Sequence, residues 1–154
     1  MEEGKLSKKD IKIVIAAHKP YRMPEDTMYV PLHVGAEGKK NPDGTPLDLG
    51  YQKDNEGDNI SAKNPYYCEL TGIYYAWKNI PAEYLGLVHY RRYFKGKNKS
   101  KDPFACIVTE PEMEKIFETH RIVVPKKRKY YIETLYSHYA HTHYACLLYT
   151  SPSP

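Results

Sequence analysis

A three-layer α/β sandwich built on a largely parallel sheet is the fold class this sequence predicts, and three observations predict it. Continuous apolar runs at residues 11–17 (IKIVIAA), 86–88 (GLV) and 121–124 (RIVV) read as strands covered on both faces, because a strand with one wet face alternates instead. Helix-length stretches with an apolar face lie between them, and strand, helix and strand in turn call for parallel pairing with helices over the sheet. Finally, 154 residues at 41% hydrophobic and 27% charged suffice for one ordinary domain with a real core, not a disordered chain.

The first strand, residues 11–17, is β-branched and continuous. His18-Lys19-Pro20 ends it, since the proline excludes Lys19 from helical space. The end of an opening strand is where nucleotide-binding α/β folds meet their ligand, which makes His18 and Lys19 candidate substrate-binding residues. No GxGxxG follows, so a Rossmann dinucleotide site is not supported. Residues 29–34 (YVPLHV) predict a second strand, and Pro31 argues for an edge position. Residues 35–57 form a long loop dense in Gly, Pro, Asp and Asn, with a strong turn at Asn41-Pro42-Asp43-Gly44. Loops of this length are usually functional or mobile, and a flexible lid or acceptor loop is expected here.

A helix is predicted over residues 65–78, with Asn64 as N-cap, Pro65 at the tolerated first position and Glu69 in the early turns. Tyr67, Leu70, Tyr74 and Trp77 follow i, i+3, i+7, i+10 spacing and predict its packed face. Residues 110–119 predict another helix, with a Thr109/Glu112 capping box and Met113, Ile116 and Phe117 facing inward. A buried strand at 121–124 is then expected, ended by Pro125 and opening into the positive KKRKYY. Residues 132–144 read as helix giving way to loop.

The most informative segment is residues 84–94, YLGLVHYRRYF, a buried strand that ends abruptly in a histidine, two arginines and three aromatics. Ligands of open α/β sheets sit outside the carboxyl ends of the strands, so His89, Tyr90, Arg91 and Arg92 face a ligand crevice on this reading. Adjacent guanidinium forks suit phosphate or carboxylate, and an anionic small molecule is the leading idea. The alternative is that the arginines cap the strand and pair with surface acids. Asp54, Asp58 and Glu69 are early carboxylates near polar turns. Asp58 and Glu69 are the candidates for a general base toward an acceptor hydroxyl, against helix-start electrostatics as the other role for Asp58.

Other features exclude more than they assign. Tyrosine is abundant, 16 against one Trp and 3 Phe, and its ring with a hydroxyl serves both stacking sites and core edges. A net charge of +4 is too modest for a nucleic-acid footprint, and the lysine-rich KGKNKSKD reads as a solvated flexible loop. Cys68, Cys106 and Cys146 have no metal-ligand spacing, which fits a reduced cytoplasmic protein. His138, His141 and His143, at i, i+3, i+5, do not share one helical face, so no metal site is assigned. No apolar run of membrane-spanning length and no apolar signal core is present. No nucleophile elbow, P-loop or kinase signature occurs.

HYRRYF, together with IKIVIAAHKPYRMP and DNISAKNPYYCELTGIYYAWKN, resembles a bacterial family of capsule and exopolysaccharide loci, the domain-of-unknown-function family four-four-two-two, whose members are often called glycosyltransferases. The resemblance covers residues 11–145, after a polar extension over residues 1–10. It implies a nucleotide-diphospho-sugar transferase-like (GT-A-like) fold. It also implies a nucleotide-sugar donor, a glycan or lipid-linked acceptor, no nucleic acid, and a place in the cytoplasm or at the inner membrane face. Transferases of that fold often hold a divalent metal with Asp-x-Asp after a central strand. Here that slot is His89-Tyr90-Arg91, so no cofactor is expected and cationic side chains are expected to neutralise the leaving diphosphate. A non-catalytic module that binds nucleotide or anionic glycan through the same arginines is the alternative. Residues 146–154 (CLLYTSPSP) read as a translated sequencing-adapter tail, with a short disordered Pro/Ser tail as the other reading. On the first, the domain is incomplete at its C-terminus.

Overall fold

A computed structural model describes residues 8–126, together with Thr134 and Ser137. The chain divides into two compact units, Met1–Ile122 and Val123–Pro154. In the second, residues 123–126 form no regular element and the Ser137 amide donates to Thr134 Oγ1 at 3.1 Å. The helix expected over residues 132–144, its three histidines and the tail at 146–154 lie outside the described residues. Among those that are described, no helix is long and apolar enough to cross a membrane.

The first unit is an α/β fold on a four-stranded, wholly parallel sheet. Its strands are β1 (Ile11–Ala17), β2 (Tyr29–His33), β3 (Gln52–Lys53) and β4 (Tyr84–His89), in the order β3-β2-β1-β4. The helices are α1 (Asn64–Tyr67), α2 (Leu70–Asn79) and α3 (Glu110–Phe117). Central β1 pairs on both sides, Ile13 opposite Tyr29 and Gly86, Ala16 opposite Leu32 and His89. That position explains its unbroken apolar sequence: Val14, Ile15, Ala16 and Ala17 are fully buried.

Period-two alternation divides the core. Val14, Ala16, Leu32 and Val34 pack against Tyr75 and Ala76 of α2, with Leu85 and Leu87 of β4 beside them. On the opposite face, the Tyr29 hydroxyl donates to the Val108 carbonyl at 2.8 Å, and Tyr84 stacks on Phe117 of α3 with ring centroids 3.9 Å apart. Helices therefore cover both faces of the sheet. The capping box of α3 is formed as its sequence predicts, Glu112 accepting from the Thr109 amide. The same carboxylate accepts from the Lys97 amide at 2.8 Å, tying down the lysine-rich loop that was expected to be flexible.

Several expectations are corrected. The helix expected over 65–78 breaks at Cys68, whose φ of 48° ends α1 before α2 begins. The Asn64 side chain bridges the break, donating to the Cys68 carbonyl at 2.8 Å and to Thr71 Oγ1 at 3.0 Å, instead of capping a helix start. The buried face of α2 is Thr71, Gly72, Tyr75 and Ala76, not the aromatic stripe. Small residues win because α2 lies so close to the sheet that a Cβ on Gly72 would meet Val34 Cγ1 at 2.8 Å. Tyr67, Leu70 and Trp77 are left exposed.

Residues 35–57 contain β3, which pairs with Leu32 and His33, so this segment extends the sheet. Strand β2 is accordingly interior at its end, whereas Pro31 pairs with β1 alone, where no ladder amide is needed on its other side. Finally, residues 121–124 form no strand: Ile122 and Val124 are exposed. A short apolar run becomes a strand only where a partner supplies its ladder, and none of the described residues pairs with it.

Candidate functional site

The chain turns sharply at the carboxyl end of β4. The Tyr90 amide donates to the Ala16 carbonyl at 3.1 Å, prolonging the ladder to β1, and the Arg92 amide donates back to the His89 carbonyl at 2.7 Å. This four-residue turn exposes Arg91 and Arg92 while it buries Tyr90, which is 1% accessible. His18 and Lys19 leave the end of neighbouring β1 at the same level. The His18 ring meets Tyr90 edge-on at 5.1 Å, and Lys19 Nζ and Arg91 Cζ lie 5.8 Å and 5.2 Å from the Tyr90 centroid. Tyr90 is thus a buried pedestal on which the cationic side chains rest.

His89 is oriented by its own turn. The Arg91 amide donates to His89 Nδ1 at 3.3 Å, so that nitrogen is an acceptor and the neutral ring carries its proton on Nε2. Nε2 faces Glu69 Oε1 at 3.8 Å, beyond hydrogen-bonding distance but within electrostatic contact. Partial burial pushes His89 below the ordinary histidine value, Arg91, His18 and Arg92 add to the effect, and Glu69 opposes it. The imidazole is therefore neutral at neutral pH.

Glu69 immediately precedes α2 and stands half-exposed over the end of β4. Together with His89, Arg91 and Arg92 it lines a cavity of about 370 Å³. Six of the sequence-predicted residues around this turn, His18, Lys19, His89, Tyr90, Arg91 and Arg92, come together with Glu69. Asp58 does not. Its carboxylate accepts from the Tyr74 hydroxyl at 3.1 Å and lies 3.9 Å from Lys78 Nζ. Lys78, and Asn79 whose side chain donates to the Asp58 carbonyl at 2.9 Å, lie at the far end of α2, a helix about 15 Å long with Glu69 at its start.

Asp54, also an early carboxylate, is fully buried and engaged. It accepts from the Gly35 and Ala36 amides at 2.8 and 3.0 Å, from Thr71 Oγ1 at 2.8 Å and from Ser61 Oγ. Its work is to fasten the end of β2 and the segment after β3 to the start of α2, and so to hold Glu69 in place.

Sequence reasoning passed over Tyr21, Tyr93 and Phe104. With Tyr90, Arg91 and Lys95 they line a second cavity, of about 380 Å³, that shares Arg91 with the first. The signal available in advance was the tyrosine surplus together with the aromatics flanking the arginines in HYRRYF.

Chemically, the first cavity offers two fixed positive charges, one neutral imidazole N–H donor and one open carboxylate. That set suits a polyanion beside a proton acceptor. It does not suit a divalent metal, because its one carboxylate and one imidazole stand beside two guanidinium groups. Among the described residues, no three His, Cys, Asp or Glu side chains gather as a metal site.

A parallel α/β sheet with an arginine-lined cavity at its carboxyl edge places the protein in the class of α/β folds that take ligands at their strand ends. Residues 12–151 match the family described as a domain of unknown function (DUF4422), and the chain belongs to that family. It is similar to a solved structure titled "WbbM bifunctional glycosyltransferase apo structure", at 40% identity and a TM-score of 0.51 over 61% of this chain. The chain spans 16% of the length of that protein. No curated protein matches it.

Proposed function

We propose that this chain carries the donor site of a glycosyltransferase that moves a sugar from a nucleotide-diphosphate donor to a glycan or lipid-linked acceptor in the assembly of a surface polysaccharide. The observation that carries the reading is the convergence of Arg91, Arg92, His89 and Glu69 on one cavity at the carboxyl end of β4. Its similarity to a protein titled a glycosyltransferase supports the same class.

An acceptor hydroxyl oxygen attacks the anomeric carbon, and the bond from that carbon to the diphosphate oxygen breaks. Negative charge then grows on the leaving nucleoside diphosphate, where the two guanidinium groups stabilise it without a metal. The proton lost by the acceptor passes to Glu69, the open carboxylate of the cavity. His89 Nε2–H faces that carboxylate at 3.8 Å, within electrostatic contact. Asp58, occupied by Tyr74 and remote from the arginines, is not assigned the proton. The family resemblance supports a place at the inner face of the membrane, where a lipid-linked acceptor is met.

Release of nucleoside diphosphate from uridine, guanosine and cytidine diphospho-sugars, with a glycan acceptor present, tests the reading. Turnover that survives a chelator and falls about a hundredfold in Arg92→Ala is expected, the usual cost of one transition-state donor. Binding of the donor without release would favour a non-catalytic module, and abolition by the chelator would overturn the metal-independent step.

A further inference from the structure

The second cavity has a floor and rim that the donor site does not need. Tyr21, Tyr93 and Phe104 wall it with aromatic faces, Tyr90 lies beneath, and exposed Arg91 and Lys95 edge it. We propose that it is the acceptor subsite and takes one pyranose ring of the glycan, the C–H face of the sugar stacked on the aromatic walls; this rests on the donor reading given above.

Three observations carry the assignment. First, Arg91 lines both cavities, so a diphosphate held on it lies at the mouth of the aromatic one, where an attacking acceptor has to be. Second, the rings pack on one another in tilted pairs, Tyr21 and Phe104 by 35° at 6.5 Å, and Tyr93 and Phe104 by 56° at 5.8 Å. They leave no parallel slot between them for a flat base and instead present a continuous apolar surface, on which the C–H face of a saturated ring can lie with its hydroxyls turned to the polar rim. Third, among the described residues the Tyr93 hydroxyl meets the Met23 thioether alone, at 4.0 Å, a weak acceptor that a sugar hydroxyl can replace. Burial pushes the Tyr93 phenol up to about 12, so it remains a donor at every working pH.

The walls are also held in advance, which lowers the ordering cost of binding. Arg22 grips Asp102 through two hydrogen bonds of 3.0 and 2.8 Å and lies 4.4 Å from the Phe104 centroid. Asp102 in turn accepts from the Phe104 amide at 3.0 Å. On the other wall, the Tyr51 hydroxyl accepts from the Tyr21 amide and donates to the Tyr21 carbonyl, at 3.1 and 3.0 Å.

The test is saturation-transfer NMR on the full chain with methyl glucopyranosides, galactopyranosides and mannopyranosides. Phosphorus line broadening of uridine, guanosine and cytidine diphosphates is followed in the same samples. Saturation of pyranose ring protons is expected, reduced at least fivefold in Phe104→Ala and in the solvent-facing Tyr21→Ala, with nucleotide broadening unchanged. Arg92→Ala is expected to do the reverse. Pyranose signals that are absent, or that survive both aromatic substitutions, would overturn the subsite. So would loss of saturation at the nucleobase protons in Tyr21→Ala, which would place the base there. Absence of nucleotide broadening in the unsubstituted protein would instead sink the donor reading, whatever the sugars do.

Discussion

Replacing Asp54 by alanine removes one buried carboxylate from four donors, and the structure sets the size of the effect. The Gly35 and Ala36 amides have no other acceptor among the described residues, so each is left buried and unpaired. Thr71 Oγ1 has the Cys68 carbonyl at 3.1 Å as a second acceptor, which softens its loss, and Ser61 Oγ also accepts from the Glu37 amide. An orphaned buried donor costs about 1–3 kcal/mol and a bond to a charged acceptor contributes about 1.5–3 kcal/mol. Counting the two amides in full and the hydroxyls in part gives a loss of about 4 kcal/mol, comparable with the whole stability of a small domain. Urea unfolding followed by far-ultraviolet circular dichroism measures it through the midpoint at unchanged slope. Ser61→Ala removes one donor from Asp54 and leaves unpaired only the Glu37 amide, which sits on an exposed residue within reach of water, so it is expected to lose only about 1 kcal/mol. A loss below about 1 kcal/mol in Asp54→Ala would refute the view that this carboxylate fastens β2 to α2.

Two further outcomes follow from packing and protonation. Gly72→Ala gains helix propensity but drives a Cβ to 2.8 Å from Val34 Cγ1, so overpacking should win by about 1 kcal/mol, read as a lowered melting temperature. His33, buried with Nδ1 unpartnered, and His89 are both held below the ordinary histidine value, chiefly by burial. The unfolded chain therefore binds protons more readily than the fold. The stability these histidines lend is fully present above pH of about 6.5 and is lost as pH falls through their lower folded values. Urea midpoints measured from pH 7.5 down to 5, about the range over which histidines titrate, should fall, and the slope should flatten in the His33→Gln/His89→Gln variant.

Much of this was legible from residues alone, and the failures have physical causes. Strand β1 and the capped helix α3 are written in local patterns that the tertiary fold does not contradict. The place of β4 was legible too, but it is a half-buried edge strand and not the fully covered one that its apolar run suggests. Strand β3 was not, because Gln52 and Lys53 are polar and become a strand only through pairing with Leu32 and His33. The face of α2 was misread because the aromatic period is the louder signal, while Gly72 and Ala76 mark the contact by being small. At the site, the arginines and His89 were visible as an abrupt end to an apolar run. Glu69 was visible as an acid in an aromatic helix, but its pairing with His89 depends on where α2 starts, which the left-handed Cys68 decides. Asp54 gave no sign of its four partners, since these come from three separate stretches of chain.

The central claim is that Arg91 and Arg92 hold a nucleoside diphospho-sugar, and thermal unfolding in the presence of uridine, guanosine and cytidine diphospho-sugars tests it most directly. At a ligand concentration of about a hundred times Kd, binding stabilises the fold by about 2.7 kcal/mol. A rise in melting temperature with one base, abolished in Arg91→Ala and Arg92→Ala although both variants melt normally without ligand, is the predicted result. A shift that persists in both variants, or none with any of the three donors, would contradict it.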